Sequence, residues 1–103
     1  DVLLMKAEVM LNAGNTAGAL GFVNQVRSRA GIDPLTTLTD EILLAERGRE
    51  MFAEGHRRSD LIRFGAYNSP WWEKPQSDVS KNIFPIPQTQ IDANADLVQN
   101  PDY

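Results

Sequence analysis

The chain has 103 residues, a length that fits one domain or part of one. Hydrophobic residues make up 42% and charged ones 23%, as in ordinary soluble globular chains. Fourteen acids against ten bases give a net charge of −4, so there is no basic face for nucleic acid or anionic lipid, and without cysteine there are no disulfides or thiolate metal sites.

No apolar run approaches the roughly 18 residues of a membrane span. Asp1 is followed at once by Val2-Leu3-Leu4-Met5, which reads as helix interior. The expectation is a chain that opens inside an element, as a piece of a longer protein would.

Helix one is expected over residues 2–13, ending at Gly14-Asn15, a C-cap and turn pair. Its apolar residues, Val2, Leu3, Met5, Val9 and Met10 among them, point almost all round the axis, the pattern of a helix with neighbours on both flanks. Asn15 or Thr16 can cap helix two, expected over 16–30 and stopped by Gly31 with Pro34 just beyond. At about 100° per residue, Ala19, Phe22, Val23, Val26 and Ala30 share one face, with Gly18, Gln25, Ser28 and Arg29 opposite. Ala7 and Ala19 are spaced as the small residues of one tetratricopeptide repeat, which let two antiparallel helices pack closely, although that repeat's Trp and its closing Pro are missing.

Helix three is expected over 40–54, with Thr39 before it and Asp40 and Glu41 in its first turn, where carboxylates favour the positive end of the dipole. A fourth helix is expected over 59–64, ending at Gly65. Asn68-Ser69-Pro70 then opens a loop containing Trp71-Trp72, and residues 75–82 are polar. Phe84-Pro85-Ile86-Pro87 reads as extended, because each Pro biases its predecessor away from helix. Gln88 to Ala93 offers one last helical turn. The expected fold is all-α, with a tetratricopeptide-like hairpin (1–31), Arg/Glu-rich helices (39–65), an irregular tail (66–103) and no substantial sheet.

Five of the seven arginines lie between Arg47 and Arg63, among Glu46, Glu50, Glu54, His56 and Asp60. Glu46, Glu50 and Glu54 descend one helix face in i, i+4 steps, which suggests either a metal site joined by His56 or a solvated, charge-laced face. Helical metal motifs carry two His at i, i+4, whereas His56 is alone and lies beyond Gly55, so no metal is expected. Arg49 falls on the wheel between Ile42, Ala45, Phe52 and Ala53, inside an apolar stripe. A guanidinium there must be paired, and Asp60 or Glu8 are the expected partners in a structural ion pair. No Ser-His-Asp or Cys-His set, G-x-S-x-G elbow or glycine-rich phosphate loop can be assembled, so no catalytic residue, cofactor or enzyme activity is expected. Trp71 and Trp72 are the residues nominated for ligand contact, through their aromatic faces. The competing expectation folds them back onto the helices as apolar cover.

The stretch from Ala45 to Gly65, AERGREMFAEGHRRSDLIRFG, resembles the C-terminal signature of the SusD/RagB family. Phe84-Pro85-Ile86-Pro87 with Gln88 and Ile91 to Asn94 resembles that family's F-P-I-P segment, and Leu97 to Tyr103 its closing N-P-G-Y. The hairpin segments AEVMLNAGN and NQVRSRAG are similar to its last repeat-like helix pair. There are departures: Arg58-Ser59 stands where an aromatic pair is usual, Asp102 replaces the terminal Gly, and Gly48 occupies a mid-helix position that usually carries a long side chain. The resemblance implies the C-terminal portion of a surface-exposed outer-membrane lipoprotein that binds oligosaccharide or another nutrient. Such a protein would work with a SusC-like TonB-dependent transporter, and this portion would supply scaffold. The alternative is a stand-alone helical-repeat module that binds a protein partner; neither reading involves nucleic acid.

Overall fold

The computed structural model describes residues 1–103. It contains α1 (Val2–Asn12), α2 (Thr16–Arg29), α3 (Asp40–Glu50), α4 (Arg57–Arg63) and α5 (Gln88–Ala93), with a 3₁₀ turn at Val79–Asn82. There is no strand, only one antiparallel bridge between Trp71 and Lys74. No helix is long and apolar enough to cross a membrane. The chain forms two compact units, Asp1–Phe64 and Gly65–Tyr103.

In the first unit, α1 and α2 pack as an antiparallel hairpin. Asn15 makes the turn: its side chain accepts from Gly18 N at 2.9 Å, satisfying one of the open amides at the start of α2. Leu4 and Ala7 of α1 meet Ala19, Val23 and Val26 of α2 in the core, with Leu38 and Leu43 closing it from α3 and the segment before it. The small Ala7 and Ala19, both fully buried, are the pair the repeat-like spacing singled out. Asn24 holds the long connection to α3 by exchanging two hydrogen bonds with the Leu35 backbone, at 2.8 and 3.0 Å. Thr39 caps α3, accepting from Ile42 N.

α3 stops at Glu50, short of the expected 54. Met51 begins a turn in which Ala53 (φ 62°) and Gly55 (φ 80°) are left-handed. Residues in that conformation cannot extend a right-handed helix. Gly55 announced the turn in the sequence, but Ala53, the best of helix formers, did not. α4 starts at Arg57, ahead of the expected Ser59, whose hydroxyl donates to His56 O within the first turn.

The second unit is irregular but closely tied. Asp78 caps the 3₁₀ turn by accepting from Ser80 N at 2.8 Å. The extended Phe84–Pro87 segment is held by the closing residues of the chain. Gln99 accepts from Ile86 N at 2.8 Å and donates to Ile86 O at 2.9 Å, imitating a strand partner. Asn100 donates to Phe84 O at 2.7 Å, and the Tyr103 hydroxyl reaches Ser80 O and Ile83 O.

Candidate functional site

The Arg-rich stretch assembles into two linked sets of ion pairs. In the first, Arg47 is buried, its side chain 3% exposed, and donates from Nε to Asp60 at 2.9 Å and from Nη1 to Asp1 at 3.1 Å. Asp60, also buried, accepts from Arg63 at 2.8 Å, and Arg63 in turn clamps Glu8 of α1. This set ties α1, α3 and α4. In the second, Glu46 accepts two hydrogen bonds from Arg27 of α2, at 2.9 and 3.0 Å, and a third from Arg49 on the outside. Arg29 and Glu50 form a further pair between α2 and α3.

The electrostatics follow from this geometry. Burial pushes the Asp60 carboxyl up, but hydrogen bonds and charge from Arg47 and Arg63 outweigh it and hold the group below the ordinary range. Glu46 behaves alike, with burial opposed and overcome by Arg49 and Arg27. The Glu8 carboxylate, with help from Asp60, raises Arg63 above the usual guanidinium value.

Arg49 is therefore not the buried arginine. Its side chain is 59% exposed, and it touches neither Asp60 nor Glu8; Arg47 and Arg63 take those two acids. The wheel misplaced it by running through Phe52 and Ala53, which lie beyond the helix end, Phe52 being 82% exposed. The buried face of α3 is Leu43, Glu46 and Arg47, an i, i+3, i+4 set. The Glu46–Glu50–Glu54 face is also not uniformly solvated, because Glu46 at its head is buried. Sequence reasoning missed Arg27 as a functional partner; its reach from α2 to Glu46 is a contact between helices with no local pattern.

Gly48 has a packing reason. A Cβ there would sit 2.8 Å from Arg57 Nη1, which passes over the helix to donate to Leu44 O at 2.9 Å. The bare glycine opens the path for that guanidinium.

Trp71 and Trp72 lie on a tight corner of the second unit. Trp71 meets Tyr67 edge to face at 6.5 Å, and the Lys74 ammonium sits 4.4 Å from its ring centre. Trp71 is 44% exposed and Trp72 86%. A groove of about 440 Å³ beside α1 and α4 is lined by Glu8, His56, Ser59 and Arg63, whose acid and guanidinium already bind each other. No group of three or more His, Cys, Asp or Glu side chains is gathered where it could hold a metal ion.

The architecture is all-α: a small-residue helical hairpin locked by ion pairs to a third and fourth helix, with a clasped, largely irregular tail after it in the chain. Residues 1–82 match the sequence model of the SusD family, and the chain belongs to that family. It is 33% identical over 113 aligned positions to the starch-binding protein SusD of Bacteroides thetaiotaomicron, an alignment covering 100% of this chain and 20% of that protein. A SusD-like protein of Formosa agariphila is 32% identical over 76 positions, covering 61% of this chain and 15% of the relative. Among solved structures, surface glycan-binding protein A from Bacteroides uniformis superposes with a TM-score of 0.80 at 30% identity, covering 95% of this chain and 25% of that one. The chain thus spans about a fifth of the length of its starch-binding relative.

Proposed function

We propose that this chain is the C-terminal part of a longer glycan receptor displayed at the outer-membrane surface. In this reading the receptor binds oligosaccharide without chemical change and passes it to a TonB-dependent transporter. The observation that carries the reading is the alignment to a starch-binding protein along the whole of this chain. The superposition on a surface glycan-binding protein supports it as well. Residues 1–64 act as scaffold: their buried charged groups are spent on ion pairs with one another, and most of their buried apolar residues on the hairpin core. Most of the ligand surface then lies in other parts of the receptor.

Affinity purification of the tagged full-length protein from detergent-solubilised outer membranes tests the transporter half of this reading. The expected result is co-purification with a β-barrel transporter in near-equal amounts. Recovery from the soluble fraction with no such partner would contradict it.

A further inference from the structure

Outside the ion-pair sets, the most heavily tied feature is the loop from Tyr67 to Asp78. Asn68 joins its ends, donating from Nδ2 to Asp78 O at 2.7 Å while its own carbonyl accepts from Ser77 N at 3.0 Å. The Lys74 ammonium fills the middle, donating to Ser69 O, Pro75 O and Ser77 Oγ at 3.2 to 3.3 Å. From the same place it covers the Trp71 ring at 4.4 Å and approaches Tyr67 at 5.6 Å. The backbone of the corner is fixed as well: Lys74 N donates to Trp71 O and Trp72 O at 2.8 and 2.7 Å, and Trp71 N donates to Lys74 O at 3.1 Å. Trp72 and Glu73 form the tip. Trp72 is 86% exposed, and Glu73 takes a left-handed φ of 55°, a place where glycine is the residue free of steric cost. The loop thus presents a large exposed indole at the position next to an exposed carboxylate whose backbone is held in a disfavoured conformation.

We propose that the Trp72–Glu73 corner is a carbohydrate-binding subsite, resting on the receptor reading above. A pyranose ring has one face of C–H bonds, slightly positive and apolar, and a rim of hydroxyls. The Trp72 ring supplies a flat, electron-rich face for the first, and the Glu73 carboxylate accepts hydrogen bonds from the second. Because the loop is already braced by Asn68 and Lys74, little ordering remains to be done on binding. A protein-docking surface would gather several apolar anchors into one patch with a dry centre. Here Lys74 occupies the neighbouring Trp71 ring, and Ser69, Glu73 and Gln76 give the loop an exposed polar rim, which suits a single sugar ring.

The test is affinity electrophoresis of the full-length protein through native gels containing soluble starch, xyloglucan or laminarin. Wild type, Trp72→Ala and Trp72→Phe are compared, with thermal melts to confirm folding. For a glycan that retards the wild type, Trp72→Ala should weaken binding about tenfold, while Trp72→Phe keeps most of it and all three proteins melt alike. Unchanged retardation of Trp72→Ala overturns the subsite and leaves the receptor reading standing. Unchanged retardation with loss of transporter co-purification also overturns it, and assigns the corner to protein docking. A wild type retarded by none of the three polysaccharides removes the receptor reading and the subsite together.

Discussion

Arg47 and Arg49 stand two positions apart on α3 with the same charge, yet one is sealed between Asp60 and Asp1 while the other lies over Glu46 in solvent. Removing Arg47 leaves Asp60 buried with only Arg63, so Arg47→Ala should cost about 3 kcal/mol. Arg49→Ala leaves Glu46 with both bonds from Arg27 and should cost less than about 1 kcal/mol. Urea denaturation of the two variants decides this, and equal losses would contradict the assignment. The sequence pointed to Arg49 as the paired arginine, with Asp60 or Glu8 as its partner; both acids are in ion pairs, but with Arg47 and Arg63. Which arginine it was depended on where α3 ends, and the left-handed Ala53 that ends it has no local mark. Gly48 makes the same point in reverse, since this departure from the family pattern is a passage for Arg57. Gly48→Ala gains about 1 kcal/mol of helix propensity but displaces the Arg57 bond to Leu44 O, worth about as much. The substitution should therefore be near neutral alone and stabilising by about 1 kcal/mol in an Arg57→Ala background. Equal effects in both backgrounds would show that Arg57 does not use the gap.

Beyond the apolar core, two buried acids tie α3 to its neighbours, Glu46 between α2 and α3 and Asp60 between α3 and α4. Both carboxyls lie below their ordinary values, burial being overcome by the arginines around them. A group with a depressed folded pKa contributes stability that is present above its unfolded value, about 4 for these side chains, and lost as pH falls through the folded value. Urea midpoints should thus hold from neutrality down to about pH 4 and drop below it. Glu46→Gln should lower stability at neutral pH and flatten the acid slope, whereas an unchanged slope would mean that Glu46 is not linked to folding. The helix hairpin and α5 were readable from period and punctuation, and Phe84 to Pro87 from its prolines. The Gln99 clasp on Ile86 was not, because a side chain imitating a strand partner 13 residues away leaves no periodic trace.

Helix α1 turns Val2, Met5 and Val9 outward, 65, 52 and 67% exposed, and with Met10 and Phe22 they line an apolar groove of about 480 Å³. Exposed apolar surface of this kind drives association when nothing covers it. The 103-residue chain in isolation should therefore self-associate, and Val9→Glu should reduce that tendency in light scattering; a monodisperse monomer at high concentration would contradict this. The all-round apolar character of α1 was visible in its sequence, but which side lay open followed only from where α2 and α3 packed. The central claim concerns the intact receptor, and calorimetric titration of the full-length wild-type protein with starch, xyloglucan and laminarin oligosaccharides tests it most directly. Saturable heat with at least one of them is the predicted result. A folded protein giving no heat with any of the three would contradict it.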